Sequence, residues 1–379
     1  MTGRLKVMTI LGTRPEIIRM SAIIKMLDAV TDHVLVHTGQ NHDFQLNEVF
    51  FRDLDVRRPD HMLGVDVSSL GAVLGSVLVK TEEVLRSERP DAVVILGDTN
   101  SAIAAVMARR MQIPVYHLEA GNRSFDENVP EEINRRLVDH VSDYNFAYTE
   151  HARRNLLDEG LHPSRVFLTG SPMREILDAA ADAIAKSDVL ERERLKPGGY
   201  LLASLHRQEN VDDPERLGIL ARALHRLADQ HDVPVIVSTH PRTRIRLEAQ
   251  PDTHSDRIRW QPPFGFHDYV ALQQNALLVL SDSGTVSEES SILGFPAVTL
   301  RDAIERPEAI ETGVMITTGV TEDSIIDAAA VALELAAAGP AEVPAAYLVP
   351  DMARRVVSVI RGTAATHHER AGIRRQPLT

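Results

Sequence analysis

Cysteine is absent from all 379 residues. Its absence removes disulfides, thiolate metal sites and Cys nucleophiles together. Other signatures are missing too: no Gly-x-Gly-x-x-Gly opens the first strand–helix unit, no Walker-type loop occurs, and no His-Glu-x-x-His helix is present. Redox, kinase and zinc-hydrolase readings therefore lose their usual support, and neither a cofactor nor a metal is expected. Long apolar runs are lacking: Ala328 to Ala338 is interrupted by Glu334 and is far shorter than a bilayer span. Leu5 to Leu11 is too short for a signal-peptide core and leads into a strand-to-helix loop. A cytoplasmic protein without a membrane partner is expected.

Positive charge is also in deficit. Lys and Arg number 41 against 54 Asp and Glu, a net charge of -13, so the averaged surface repels polyanions and no nucleic-acid partner is expected. A small anion could still occupy a local basic pocket. What the chain does have is apolar material, 44% of its residues, enough to build two ordinary cores.

That material falls in short runs of strand length between helix-like segments: Val7–Leu11, Val34–His37, Ala92–Leu96, Val115–Leu118, Asn145–Tyr148 and Val166–Thr169. A helix around Glu175–Ala185 and the turn Lys196-Pro197-Gly198-Gly199 follow. The pattern then restarts with Tyr200–Ser204, Val235–Ser238, Leu277–Leu280 and Ala297–Leu300. The alternation predicts an α/β chain of two Rossmann-like lobes, 1–171 and 172–350, with a last segment, 351–379. Ala345 to Arg361 reads as a final helix, and the tail from His367 onward as loosely ordered.

In doubly wound sheets, ligands gather at the carboxyl ends of the strands. The polar motifs of this sequence lie there. The first strand ends in Gly12-Thr13-Arg14-Pro15-Glu16, where Pro15 suits a first helical turn and the Arg14 fork suits a diphosphate, although a solvated Arg is equally compatible. Asp98 follows the third strand within Gly97-Asp98-Thr99-Asn100 and reads singly as a helix cap. Glu119 follows Val115–Leu118, and Glu131 lies in the first turn opened by Pro130, where the helix dipole alone would favour an acid. As a set at successive strand and helix ends, these carboxylates are harder to assign to capping.

In the second lobe, His206 and His240 each follow a strand and are expected to face an interlobe cleft, though a structural histidine is an open alternative for both. No chemical step is assigned to His240. Ser281-Asp282-Ser283-Gly284-Thr285 runs from strand through a small-residue turn into a helix, a shape that lets phosphate oxygens reach free N–H groups. Glu289, farther into that helix, could accept from ribose hydroxyls or simply be solvated.

The ordered set Gly12–Glu16, Thr38-Gly39-Gln40, Gly97–Thr99, Glu119-Ala120-Gly121, Pro130–Arg135, Tyr148-Thr149-Glu150, Gly170-Ser171-Pro172, His206–Asn210, Ser281–Glu289 and Glu305-Arg306-Pro307-Glu308 resembles the non-hydrolysing UDP-N-acetylglucosamine (UDP-GlcNAc) 2-epimerase family over roughly residues 5–320. The resemblance implies a glycosyltransferase-B fold with two lobes facing a cleft, a C-terminal helix crossing back to the first lobe, and a homodimer. It places UDP mainly on the second lobe and the sugar on the first. Asp98, Glu119 and Glu131 look like the family's catalytic carboxylates, with His206 beside them in the catalytic set. Arg14, His206, Ser283 and Gly284 look like diphosphate contacts and Glu289 like the ribose acid, while Arg19, Thr285 and Arg306 complete the substrate set. Arg19 stands where the family commonly has Lys, Gln208 replaces an Arg, and Thr285 replaces a Gly. The Gln-His pair with which many bacterial members bind activating UDP-GlcNAc is here Gln40-Asn41.

The reaction implied interconverts UDP-GlcNAc and UDP-N-acetylmannosamine (UDP-ManNAc) by eliminating and re-adding UDP through a 2-acetamidoglycal. Breaking the C1–O bond builds oxocarbenium character that acidifies the C2 proton. The scheme needs proton-transfer groups on two faces and donors for the leaving diphosphate. The strings Arg14–Arg19, Gly121–Asp126 and Gly170–Met173 look closer to the subgroup forming UDP-N-acetyl-L-fucosamine from its L-talo epimer, the alternative substrate. Rival readings are a hydrolysing 2-epimerase, a glycosyltransferase, and a non-catalytic UDP-sugar-binding protein. Polysaccharide and antibiotic biosynthesis are both compatible settings.

Overall fold

A computed structural model describes residues 4–40, 44–239, 256–302 and 304–374. The chain divides into two compact units: one joins the residues up to Ile176 with those from Val349 onward, and the other runs from Leu177 to Leu348.

The first unit holds a seven-stranded sheet made of β1 (Lys6–Leu11), β2 (Asp32–His37), β3 (His61–Met62), β4 (Ala92–Leu96), β5 (Val115–Leu118), β6 (Tyr144–Ala147) and β7 (Val166–Leu168), in the order β3-β2-β1-β4-β5-β6-β7. The second holds six strands, β8 (Leu201–Leu205), β9 (Val235–Thr239), β10 (Ile258–Gln261), β11 (Leu278–Ser281), β12 (Ala297–Thr299) and β13 (Ile316–Thr317), in the order β10-β9-β8-β11-β12-β13. Every pairing is parallel. Each sheet is a doubly wound Rossmann-like sheet whose order reverses beside its first strand. The switch points lie between β1 and β4 and between β8 and β11, where such sheets bind ligands.

Helices cover parallel sheets on both faces, so their strands need continuous apolar runs. β4 is Ala-Val-Val-Ile-Leu, buried throughout. Three of the four edge strands, β3, β10 and β13, carry His61, Arg259 and Thr317 and have no such run, which is why the sequence pattern passes over them. Thr13 stands at the N-cap position of the helix Arg14–Val30, its hydroxyl donating to Glu16 rather than accepting a capping bond, with proline in the first turn, and Asp213 caps Pro214–His231 by accepting from Glu215 N at 2.9 Å.

Two expectations at the C-terminus need correction. Ala345 to Arg361 is not one helix: a short 3-10 turn, Ala345–Leu348, is followed by a separate helix, Met352–Thr363. Pro350 lies between them, and proline both lacks an N–H and disfavours helix at the residue before it. Nor is the chain loose from His367, because His367–Arg370 forms another helical turn and His367 is buried. Its Nδ1 lies 3.2 Å from the Tyr144 hydroxyl and its Nε2 3.4 Å from Asp143 Oδ1. The helix Met352–Thr363 packs on Arg14–Val30, Ala353 N donates to Glu175 at 2.9 Å, and Thr363 pairs with the Tyr116 hydroxyl at 2.7 Å. The C-terminal segment thus returns to the first unit. Aromatics are only 4% of the chain, yet Tyr116 and Tyr144 stack at 4.7 Å beneath this segment. No helix among the described residues is long and apolar enough to cross a membrane.

Candidate active site

Both switch points carry ionisable clusters. In the first unit, Glu16 is buried and receives Gly12 N at 2.9 Å, the Thr13 hydroxyl at 2.8 Å and the Thr99 hydroxyl at 3.1 Å, with Ser101 also donating. Burial pushes its carboxyl up from the usual range, against the hydrogen bonds that favour the charge. Glu16 thereby ties the loop after β1 to the loop after β4.

The Asp98 carboxylate stands in that second loop. Rather than capping a helix, it receives Arg135 Nη2 at 2.6 Å and Nε at 3.0 Å, a two-pronged contact from the helix Pro130–Val141. Its backbone carbonyl takes Asn134 Nδ2 at 2.9 Å. Arg135 also reaches the buried Glu132 at 2.7 Å, and Glu132 accepts Ser124 N at 3.0 Å. Burial alone would raise Glu132, but Ser124 and Arg135 hold its carboxyl below the usual range.

Glu119 follows β5 with φ 61°, a conformation that L residues rarely adopt, and its carboxylate pairs with Arg19. Its neighbours hold this turn. Gly121 has φ 83° and offers its N–H to Asp139 at 3.2 Å, while Asp139 takes Arg123 Nη1 at 2.8 Å and lies 2.9 Å from His117 Nδ1. A Cβ on Gly121 would lie 2.1 Å from the Ala152 carbonyl oxygen, so only glycine fits. Glu131 is exposed in the first helical turn and joins none of these pairs. Arg14 begins its helix with the guanidinium 5.8 Å from the Phe50 ring centre.

The second unit inverts the order of charges. His206 follows β8 and keeps 43% of its side chain exposed, with Nδ1 2.8 Å from Asp282, which is fully buried. Asp282 also receives His206 N and Arg207 N at 3.1 Å and Asn210 Nδ2 at 3.1 Å. Burial acts to raise this carboxyl, but His206 and these N–H donors pull it down to about 2.

Ser283, Gly284 and Thr285 then turn into the helix Val286–Leu293, with Thr285 N 3.3 Å from the Ser283 hydroxyl. Arg306 is buried beside that turn. A Cβ on Gly284 would meet its Nη1 at 3.0 Å, and its Nε donates to Glu288 at 3.2 Å. Burial works against the Arg306 charge, yet Glu288 and the neighbouring acids keep its pKa raised. Glu289 is buried too and accepts from Gln273 Nε2 at 2.6 Å. His240 and Asn41 lie outside the described residues.

The structure therefore brings together Arg19 with Glu119, and His206, Ser283, Gly284, Thr285 and Arg306 around one switch point, with Glu289 on the following helix. Sequence reasoning overlooked the partners: Arg135, Asp282 and Glu288. Arg135 was legible in principle, three positions after Glu132 on the same helix. Asp282 gave no separable signal, because a carboxylate next to Ser-Gly also reads as a cap.

A family model described as UDP-N-acetylglucosamine 2-epimerase matches residues 25–361. The structure of UDP-N-acetylglucosamine 2-epimerase from Rickettsia bellii is similar at a TM-score of 0.89 and 41% identity, covering 98% of this chain and 100% of that one. That of the Methanocaldococcus jannaschii UDP-GlcNAc 2-epimerase in complex with UDP-GlcNAc and UDP gives a TM-score of 0.89 at 36% identity, covering 94% and 100%. The UDP-2,3-diacetamido-2,3-dideoxy-D-glucuronate 2-epimerase of Pseudomonas aeruginosa is 34% identical over 339 residues, 87% of this chain and 92% of that protein.

Proposed function

The chain belongs to the UDP-N-acetylglucosamine 2-epimerase family of isomerases, and from that premise we propose that it interconverts UDP-GlcNAc and UDP-ManNAc without hydrolysis. One observation carries the reading. In the Asp98–Arg135 pair of the first unit the carboxylate is the more exposed member, 27% against 5%, and in the His206–Asp282 pair of the second the basic group is, 43% against none. A reaction that moves a proton at C2 while a diphosphate leaves C1 needs both kinds of group.

On this reading the UDP diphosphate meets Arg14, His206, Arg306 and the Ser283–Gly284 turn, which stabilise the charge that builds as the C1–O bond breaks. The C2 proton passes to one carboxylate of the set Asp98, Glu119 and Glu131, giving the 2-acetamidoglycal and UDP. Protonation of C2 from the opposite face, with re-addition of UDP at C1, gives the epimer. Arg135 and Arg19 fix the directions of Asp98 and Glu119. Glu289 and Gln273 form a buried polar pair suited to the ribose hydroxyls.

The test is proton NMR of UDP-GlcNAc incubated with the protein in deuterated water. Loss of the C2 proton signal together with a new manno anomeric signal, UDP still attached, is expected. Free UDP and free sugar would instead identify a hydrolysing enzyme. Exchange confined to the UDP-linked 2-acetamido-2,6-dideoxy-L-talo sugar would move the reading to the fucosamine-forming reaction, and no exchange with either sugar would end it.

A further inference from the structure

We infer that Asp282 is a positioning residue for His206: it locks the imidazole with its Nδ1 proton turned inward, so that Nε2 is the only ring atom able to donate to, or exchange a proton with, the departing diphosphate. The inference rests on the proposed function for what Nε2 meets, but not for the state of the ring.

The geometry leaves little choice. Asp282 lies at the carboxyl end of β11, directly across the switch point from the end of β8, and its side chain is wholly inaccessible. Its oxygens receive the backbone N–H groups of His206 and Arg207, the Asn210 amide at 3.1 Å, and His206 Nδ1 at 2.8 Å. Such a set of N–H donors favours the ionised carboxylate, which can only accept. The ring nitrogen facing it must therefore carry hydrogen. In the neutral ring this leaves Nε2 unprotonated; in the charged ring it leaves Nε2–H pointing away from the core.

The same contacts anchor the ring in direction. Both N–H groups of the His206–Arg207 segment end on Asp282, Arg207 Nε donates to the Asp282 carbonyl at 3.0 Å, and Asn210 Nδ2 bridges Asp282 to the Leu300 carbonyl at 3.1 Å. The histidine loop is thus fastened to the residue that immediately precedes Ser283 and Gly284. A movement of one would carry the other, so the donor and the phosphate turn keep their spacing.

A purely structural Asp282 would do the fastening without governing the ring, and the two roles separate experimentally. The resting protein is labelled with nitrogen-15 at histidine, and the His206 imidazole shifts are followed by NMR through its titration. Affinity for UDP is measured by calorimetry for wild type, Asp282→Asn, His206→Gln and the double variant. The expected wild-type result is a protonated Nδ1 on both sides of the titration. In Asp282→Asn the amide can donate to Nδ1, and the neutral ring should switch its proton to Nε2. Each single variant should weaken UDP about tenfold, the scale of one charge-assisted hydrogen bond, and the double variant no more than the weaker single.

An unprotonated Nδ1 in the neutral wild-type ring overturns the inference even if Asp282→Asn fails to fold. So does an Asp282→Asn penalty that persists undiminished in the His206→Gln background, since that penalty would belong to the loop. Neither measurement uses the C2 chemistry. A failed deuterium exchange with the ring locked as described would remove the epimerisation proposal and leave the positioning role standing.

Discussion

The two switch points are built from the same sheet topology but with opposite charge order. At the β1/β4 end, guanidinium groups lie behind carboxylates: Arg135 is 5% exposed behind Asp98, and Arg19 is 7% exposed against 12% for Glu119. At the β8/β11 end, carboxylates lie behind basic groups: Asp282 is fully buried behind His206, and Glu288 is 1% exposed against 6% for Arg306. In each case the more buried partner is nearly closed off from solvent and faces the group in front of it. The difference teaches that the fold supplies strand ends and helix starts, while the identity of the backing residue decides which sign of charge is presented.

The comparison can be broken most severely at Asp98. Asp98→Asn keeps the shape, leaves Arg135 facing a neutral amide, and removes a proton acceptor; turnover should fall about 10³-fold, within the range of general acid–base catalysis. Deuterium uptake at C2 is the readout, and wild-type exchange in this variant would take Asp98 out of proton transfer.

Acid should separate the two units next. Burial holds His37 near 4 rather than 6.5, with its Nδ1 accepting Gly39 N at 3.0 Å, so the native first unit favours the neutral ring. A group depressed in this way gives its full stabilisation above the ordinary value and loses it as pH falls toward the native one; for His37 the loss runs from about pH 6.5 to 4 and amounts to about 3 kcal/mol. Asp282 follows the same sign in a lower window, fully stabilising above 3.8 and losing about 2 kcal/mol as pH falls through 2. Urea melts read with a probe in each unit should therefore show the first unit weakening at the milder pH. His37→Gln should flatten that upper slope; an unchanged slope assigns it to other groups.

The smallest effect is expected at Gly284. A methyl there would press on Arg306 Nη1 from 3.0 Å, so Gly284→Ala should shift the guanidinium by tenths of an ångström and weaken UDP binding by about 1 kcal/mol. Calorimetry with UDP checks it, and unchanged affinity would show that Arg306 does not need its present place.

Much of this was legible in the chain because the physics is local. β1, β4, β5, β8 and β11 announce themselves as apolar runs, and Asp98, Glu119, His206 and Ser283 follow within two residues of strand ends. The strands β3, β10 and β13 were missed because edge positions do not demand such runs. The tail beyond Thr366 was misjudged because the environment that orders His367, Tyr144 and Asp143, lies 223 and 224 positions away along the chain. Arg19 read as a substrate contact, and only folding reveals that it pairs with Glu119, a hundred residues on.

By itself, the sequence determined the alternation of strand and helix, the places where chemistry could stand, and the family, since each is written in hydrophobic period, in turn residues, or in short motifs. Tertiary structure alone decided what lies behind each of those groups. Ionisation, ring orientation and the sign of charge presented depend on partners brought within about 3 Å of one another from distant strands and helices, and no local pattern encodes that distance.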